Sequence, residues 1–422
     1  MGHHVSESVT QRSIDSKLAG PGTPIRHPGP ATSLYFARAF RDFGDGFVAV
    51  LLVVYLTELG YGAFEVGVVA TAALLGSALM TLGIGLLGPA GSQRTLLLFA
   101  SVLMTATGLA FAMTGSYPAL LLIAFVGTIN PTAGNVSIFV PMEHALLVGA
   151  APDAGRTRMF AIYGLTGAFA AALGSLAAGS PELLVSLGWT RLGALRAMFV
   201  LYAALGIAGG LMYRLVPRGT AAADERPQFA LGPSRKIVYR LAALFSIDAF
   251  AGGFAVQSLM ALWLFQRFGM SLTAAGLFFF WSGLLAAFSY PAAAWIAARF
   301  GLINTMVYTH IPSSLCLIAA ALVPDLHLAL ALLLLRSALS QMDVPTRSSY
   351  VMAVVTPPER AAAASVTSVP RGLASAASPA LAGALFAAGW TAWPFILCGA
   401  LKILYDLMLL WNFRHIRPPE ER

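Results

Sequence analysis

Apolar stretches of about twenty residues recur from Leu34 almost to the C-terminus, and they constrain the fold of this chain more than any other feature. A helix rises about 1.5 Å per residue, so each stretch is long enough to cross a hydrocarbon layer of about 30 Å. Backbone groups find no water there, which leaves helices and closed barrels as the spanning structures. Because the stretches are too long for strands and rich in Ala, Leu and Gly, we predict an all-α membrane protein.

The composition excludes a soluble globular protein. Of the 422 residues, 58% are hydrophobic and only 10% are charged, whereas soluble domains carry about 25% charged residues. The sequence contains no HExxH, GxSxG or Walker pattern, so we expect no enzyme, no cofactor and no metal site. Without a nucleotide site, an ion gradient is the expected energy source. The formal charge of +8 is explained by basic loops on one membrane face, and we expect no nucleic-acid partner.

Twelve spans in two halves describe the predicted topology. The spans cover residues 34–58, 65–88, 95–115, 118–141, 159–180, 195–215, 240–265, 272–297, 302–323, 327–352, 361–388 and 391–413. They form an N-terminal six-helix bundle (34–216) and a C-terminal one (240–413), joined by a polar linker (217–239). Polar tails precede and follow them (1–33 and 414–422), and the first tail lacks the apolar core of a signal peptide.

The basic residues predict the orientation of the chain in the membrane. If the chain begins in the cytoplasm, one face collects Arg94, Arg156, Arg158, Arg299 and Arg360, together with the basic residues of the linker and the C-terminal tail. Positive residues concentrate on the cytoplasmic side of membrane proteins. We therefore predict that both termini are cytoplasmic.

The two halves resemble each other weakly, and the connection after the second span of each half carries a recognisable motif. Residues 294–301 read AWIAARFG and residues 85–94 read GLLGPAGSQR. Both resemble degraded copies of the GxxxDRxGR gating motif of the major facilitator superfamily, although Ala298 replaces the acid. Arg94, Arg299 and Gly301 are the gating residues that this resemblance implies.

The resemblance to the major facilitator superfamily implies two pseudo-symmetric six-helix bundles and secondary transport by alternating access. Residues 337–350, SALSQMDVPTRSSY, also resemble the tenth-helix region of a bacterial subgroup of transporters. We therefore expect a multi-pass protein of the bacterial inner membrane, a monomer whose partners are lipids, protons and a small-molecule substrate.

Ionisable residues inside the spans are candidate functional groups, because each costs about 2.5–3.5 kcal/mol to insert. Arg38, Arg41, Asp42 and Asp45 follow a spacing of three and four residues, so they share one face of the first helix. This spacing predicts two i,i+4 pairs, Arg38 with Asp42 and Arg41 with Asp45. Asp42 and Asp45 are the proton-coupling candidates, and Arg41 is a substrate-binding candidate. The alternative is that both arginines reach the cytoplasm and merely neutralise the two acids.

The tenth helix carries a second charged stripe of Arg336, Asp343 and Arg347. Asp343 is the third proton-coupling candidate, and Arg336 is assigned to the substrate path. In the family, the first, fourth, seventh and tenth helices line that path. The other substrate-binding candidates on these helices are Asn130, Asn135, Asp248, Gln257 and Gln341.

The remaining intramembrane charges have simpler structural interpretations. Lys402 and Asp406 are predicted to form an i,i+4 pair on an outer helix. Glu143 is predicted to lie at the membrane interface, and Arg371 to pair with an acid. The glycines of the fifth helix, which include Gly164 and Gly174, are predicted to be packing contacts.

The function that we expect is proton-coupled export of a small molecule by an antiporter. Burial disfavours a charged aspartate and a neighbouring arginine favours it, so Asp42 or Asp45 could load and release a proton. Uptake of a nutrient or metabolite is the alternative within transport. A membrane-embedded lipid-modifying protein or a sensor is the alternative from another class.

Overall fold

The computed structural model describes residues 30–87, 93–132, 137–150, 153–217, 231–356 and 359–414, and within these ranges every regular element is a helix. The helices of the first half are α1 (Pro30–Glu58), α2 (Ala63–Leu87), α3 (Gln93–Met113), α4 (Tyr117–Val126), α5 (Phe139–Ala150), α6 (Asp153–Ala177), α7 (Ser180–Ser186) and α8 (Arg191–Arg214). Those of the second half are α9 (Arg235–Gly253), α10 (Gln257–Phe268), α11 (Leu272–Phe300), α12 (Leu302–Leu322), α13 (Leu326–Ser340), α14 (Asp343–Val354), α15 (Arg360–Ala387) and α16 (Trp393–Phe413).

These helices confirm the predicted twelve spans, with three spans divided in two. The fourth span is α4 and α5, the seventh is α9 and α10, and the tenth is α13 and α14. The sequence predicted each of the three as one continuous helix, and that detail was wrong. Nine helical segments of the described chain are long and apolar enough to cross a membrane. The predicted linker and both tails lie largely outside the described residues, so their limits stay predictions.

The same packing plan occurs twice, which shows the pseudo-symmetry of the two halves. In the first half α1 packs on α6 and α8, α2 on α4, and α3 on α8. The second half repeats each of these pairs, because α9 packs on α15 and α16, α11 on α13, and α12 on α16. Between the halves, α2 packs on α15 and α6 packs on α11. We call these two helix pairs the seam.

The seam is tight on one side of the molecule. Because the number of spans is even, both ends of the chain lie on the same face of the membrane, which we call the terminal side. We call the opposite face the far side. On the far side, a Cβ on Gly67 of α2 would overlap the α15 backbone near Gly383. Small residues at such positions let helices approach closely in lipid. On the terminal side, a Cβ on Gly83 of α2 or Gly164 of α6 would meet no atom of the described residues within 4 Å. The described halves are therefore joined on the far side.

The short helix α7 makes a second contact between the two halves on the far side. Its Glu182 carboxylate accepts hydrogen bonds from the backbone N–H groups of Leu272 (2.7 Å) and Thr273 (3.1 Å). These are free donors in the first turn of α11, where the helix dipole also favours an anion. These hydrogen bonds join the first half to the second half beside the α6–α11 helix pair.

Prolines mark the points where the fourth and tenth spans are divided. Pro141 and Pro345 each stand in the first turn of the second segment, in α5 and α14. The first backbone N–H groups of a helix have no intrahelical partner, so a proline there sacrifices no hydrogen bond. The divided fourth span also meets the divided seventh, because the Ser258 N–H donates to the Pro131 carbonyl at 3.1 Å.

The outer surface of the bundle is apolar, as a lipid-facing surface requires. Large hydrophobic side chains remain exposed around it, and the side chains of Met113 and Trp411 are 82% and 79% exposed. Soluble monomers rarely expose apolar surface on this scale. The charged residues of the spans lie inside the halves instead.

Candidate functional site

Glu143 is the centre of a buried cluster of charges in the first half. Its carboxylate accepts hydrogen bonds from Arg41 Nη1 at 2.8 Å, from the Tyr213 hydroxyl at 2.6 Å, and from the Tyr163 hydroxyl. The Glu143 side chain is completely buried. Helix α5, which carries Glu143, packs on α1, α3 and α6. The depth of Glu143 in the membrane stays a prediction.

Arg38 and Asp42 complete this cluster from α1. Arg38 Nε lies 2.5 Å from Asp42 Oδ2, so the structure contains the i,i+4 pair that the sequence predicted. Arg41 Nε donates to Asp42 Oδ1 at 3.2 Å. A Cβ at Gly167 of α6 would overlap the Arg38 and Asp42 side chains, so this glycine makes room for the pair. We call Arg38, Arg41, Asp42 and Glu143 the N-half ion cluster.

Asp45 lies one turn beyond the N-half ion cluster and is not part of it. Arg41 was expected to pair with Asp45, and it binds Asp42 and Glu143 instead. Asp45 is only 2% exposed. Within the described residues, no Lys, Arg or His nitrogen lies within 4.0 Å of its carboxylate.

The hydrogen-bonding neighbours of Asp45 are neutral polar groups from α8 and from the break between α4 and α5. The Tyr202 hydroxyl of α8 lies 3.4 Å from Asp45 Oδ1 and 3.0 Å from the Thr128 carbonyl. The Asn130 side chain interacts with the same carboxylate, while the Asn130 Oδ1 atom accepts from the Thr132 backbone N–H at 2.9 Å. Asp45 is therefore a buried acid held by groups that can bond either of its protonation states. Asn135, the other polar candidate of this span, lies outside the described residues.

A second chain of charges crosses the interior of the second half. Arg347 Nη1 donates to Asp343 Oδ2 at 2.8 Å and to Asp248 Oδ2 at 3.2 Å. The other Asp248 oxygen accepts from Lys402 Nζ at 2.6 Å. Asp343 and Asp248 are both buried. The structure brings these two candidates together through one arginine.

His310 of α12 extends this chain of charges, although it is not among the residues predicted from the sequence. Its Nδ1 lies 3.0 Å from Asp406 Oδ2, and its Nε2 lies 3.2 Å from Lys402 Nζ. The predicted Lys402–Asp406 pair is thus bridged by His310. A single histidine in an apolar helix indicates a buried polar contact, but no residue spacing within α12 identifies its partners on α16. We call Asp248, Asp343, Arg347, Lys402, His310 and Asp406 the C-half ion cluster.

Two arginines of the second half have no acid beside them. Within the described residues, no carboxylate oxygen lies within 4.0 Å of Arg336 or Arg371. The Nε atom of Arg371 is buried and has no hydrogen-bond partner. The pairing that was expected of Arg371 is therefore not formed by the described residues. Arg336 is partly buried on α13, and its backbone carbonyl accepts from the Ser313 hydroxyl at 3.4 Å.

Gln257 and Gln341 stand at the two breaks of the second half. Gln257 begins α10, and its Nε2 donates to the Ser175 hydroxyl of α6 at 3.2 Å. Ser175 in turn donates to the Gly46 carbonyl of α1 at 3.2 Å. Gln257 therefore joins the two halves. Gln341 follows the last residue of α13 and is partly buried.

The predicted gating residues lie on the terminal side. Gly301 separates α11 from α12 with φ of +86°, a backbone conformation that favours glycine. Arg299 precedes it in the last turn of α11. Both line a crevice of about 700 Å³ together with Pro345 and other residues of α12, α14 and α16. Arg94 is the second residue of α3 and is partly buried.

Among the residues that the structure describes, no group of three or more His, Cys, Asp and Glu side chains could hold a metal ion. Within the described spans, the candidate site therefore comprises the ionisable groups of the two ion clusters, Asp45 and the unpaired arginines Arg336 and Arg371.

Comparison with known families gives one match across the chain. The family model described as Major Facilitator Superfamily matches residues 34–342 and 241–422. Among curated proteins, the uncharacterized membrane protein YJR124C of Saccharomyces cerevisiae is 23% identical over 417 residues, covering 90% of this chain and 93% of the yeast protein.

Solved structures show the same fold at low sequence identity. The nucleoside transporter NupG has a TM-score of 0.69 and 14% identity, covering 92% of this chain and 99% of its own. A D-xylose-proton symporter has a TM-score of 0.70 and 16% identity, covering 93% of this chain and 98% of its own.

Proposed function

The chain belongs to the major facilitator superfamily and is a multi-pass membrane transporter, not an enzyme. We propose that protonation of Asp45 drives the movement of a small organic molecule across the membrane. The observation that carries the proposal is the isolation of Asp45 from any cation within 4.0 Å among the described residues. A D-xylose-proton symporter with the same fold supports proton coupling as a use of this architecture.

Asp45 suits this role better than the other two candidates for proton coupling. Asp42 is held between Arg38 and Arg41, and Asp343 is bound to Arg347. Both of these carboxylates are therefore already engaged in ion pairs within their own half. The Asp45 carboxylate instead contacts the neutral side chains of Tyr202 and Asn130, and Arg38 and Arg41 act on it only from beyond 4.0 Å.

The movement that would expose Asp45 is a rocking of the two halves about the seam. In the described state the halves are joined on the far side through Gly67, Gly383 and the Glu182 contacts. Opening that side requires these contacts to separate while the terminal side closes. Asp45 lies on α1, which packs on α10 and α11 of the other half. A change in its charge would therefore act where the halves meet.

The direction of transport, the side of the membrane on which the termini lie and the bacterial origin of the protein are predictions from the sequence. Export by an antiporter is the expectation from the sequence, and uptake is its alternative. The cytoplasmic termini and the bacterial inner membrane are likewise predictions from the basic residues and the tenth-helix resemblance. A sensor that binds a ligand without moving it is the remaining alternative.

Transport in proteoliposomes tests the proposal. Purified protein is reconstituted, screened with radiolabelled nucleosides, pentoses and organic acids, and driven by pH gradients of either sign. We expect Asp45→Asn to lose gradient-driven accumulation but to keep exchange of labelled for unlabelled substrate, since exchange needs no net proton movement. The sign of the effective gradient separates symport from antiport.

The matched control is Asp325→Asn. Asp325 caps α13 by accepting the Leu328 N–H at 2.7 Å, and asparagine caps helices equally well. This variant should transport like the wild type. Full gradient-driven accumulation by Asp45→Asn would reject Asp45 as the proton carrier, and binding without exchange in the wild type would favour the sensor.

A further inference from the structure

Among the described residues of the second half, the cations inside the spans outnumber the carboxylates that pair with them. Asp343 binds Arg347, and Asp248 binds both Arg347 and Lys402. Asp406 is held by His310. These contacts occupy the three acids of the C-half ion cluster, and they leave Arg336 and Arg371 without one. Of these two arginines, Arg371 interacts with members of the cluster.

Arg371 lies where the second half meets the first. The next residue of α15, Gly372, faces Ala78 of α2 across the seam, with 3.5 Å between a Cβ built at Gly372 and the Ala78 Cβ. One and two turns further along α15, Ser375 and Ser378 face α9, where Ser378 donates to a backbone carbonyl. Residues four and seven apart share one face of a helix. Arg371 is therefore placed on the α9 face of α15, beside the seam.

The surroundings of Arg371 favour the arrival of an anion. Arg371 interacts with Arg347, a like charge, and with Asp248 and Asp343, which are already bound to other cations. Arg371 is partly buried, and its Nε atom is buried without a hydrogen-bond partner among the described residues. A guanidinium without a bound acid is costly inside a membrane protein, and it is retained where something pairs with it. A planar guanidinium offers two parallel donors to a carboxylate.

We propose that Arg371 is the anion-binding residue of the transport site, so that the molecule carried is a small organic carboxylate. Arg347 adds positive potential behind it. This inference rests on the proposed transport function, since it names the substrate class for the same path. The carboxylate would bind Arg371 next to the seam, where rocking of the halves exposes it.

Thermal unfolding of the purified protein tests this inference without a known substrate. The probes are benzoate and succinate, each compared at constant ionic strength with its neutral amide, benzamide or succinamide. A ligand that binds the folded state raises the unfolding midpoint. We expect both carboxylates to raise the wild-type midpoint and both amides to leave it unchanged.

Variants assign the effect to the residue. Arg371→Gln should abolish the shift, and Arg371→Lys should keep a smaller one, because lysine retains the charge but not the paired donors. The matched control is Arg191→Gln, which removes an arginine that is 63% exposed and bridges Glu58 at 3.3 Å on the surface. This control should shift like the wild type. If Arg371→Gln fails to fold, the weakened response of Arg371→Lys decides.

Three results would overturn the inference. They are the absence of a carboxylate shift in the wild type, an equal shift with the amides, and a full shift in both Arg371 variants. Asp45→Asn separates this inference from the proposed function, because it should lose proton-driven transport and keep the carboxylate shift. If instead Asp45→Asn transports normally while the Arg371 results hold, proton coupling at Asp45 fails and the anion site stands.

Discussion

Removing the charge of Glu143 should destabilise the first half strongly. In Glu143→Gln, Arg41 loses its 2.8 Å partner, and the hydroxyls of Tyr163 and Tyr213 lose a charged acceptor. Breaking a buried ion pair by removing one partner costs about 3–5 kcal/mol. Arg41 retains Asp42 at 3.2 Å, so the lower end of that range applies.

A loss of about 3 kcal/mol is measurable by thermal unfolding in detergent. For a unit the size of one half, each kcal/mol shifts the midpoint by about 2–4 °C, so the expected fall is roughly 6–12 °C. The matched control is Glu58→Gln, which breaks only a surface pair with Arg191. Exposed pairs contribute about 0–1 kcal/mol, so this control should unfold close to the wild type.

The unfolding temperatures of these two variants can contradict the expected stabilisation by Glu143. If Glu143→Gln and Glu58→Gln unfold at the same temperature, the N-half ion cluster does not stabilise the fold as its geometry implies. A second variant strengthens the test, because Arg41→Gln combined with Glu143→Gln removes both charges. The double variant should be less destabilised than the sum of the single variants, since neither charge is then left alone in the interior.

Two further predictions address packing and pH. Gly174→Ala should destabilise the protein, because its Cβ would overlap the α1 backbone, whereas Gly164→Ala on the same helix meets no atom within 4 Å and should unfold like the wild type in the same assay. Glu359 lies outside the spans, and hydrogen bonds from Ser234 and Thr356 lower its pKa from 4.5 to about 2. The ionised Glu359 carboxylate therefore stabilises the fold fully above pH 4.5, and this stabilisation is lost as the pH falls toward 2. The unfolding midpoints of the wild type and Glu359→Gln should converge over that pH range. A difference between the two midpoints that stays constant with pH would contradict this role of Glu359.

The twelve spans and the two halves were predictable because lipid imposes a length and an apolar composition on every span. The i,i+4 pair of Arg38 and Asp42 was predictable for a similar reason, since both residues lie on one helix. The breaks in the fourth, seventh and tenth spans were not. A proline such as Pro345 is compatible with a kink or with the start of a new helix, and only packing against neighbours decides between them.

Contacts between helices account for the errors at the candidate site. Spacing along α1 favoured Arg41 with Asp45, but Glu143 arrives from α5 and competes for the arginine. His310 and Asp406 lie 96 residues apart, and no pattern within either helix relates them. A sequence shows which charges enter the membrane, whereas their partners depend on helix packing.

The two halves share one helix plan, but their described ion clusters differ in what they leave unpaired. In the first half the N-half ion cluster is balanced, and Asp45 adds one carboxylate without an ion-pair partner. In the second half the three acids of the C-half ion cluster are already bound, and Arg336 and Arg371 have no described carboxylate within 4.0 Å. Packing alone would favour pairing these charges within each half, because unpaired ions are costly in lipid. Their separation across the seam is what a transporter needs if a proton binds one half, a carboxylate binds the other, and both are released when the halves rock.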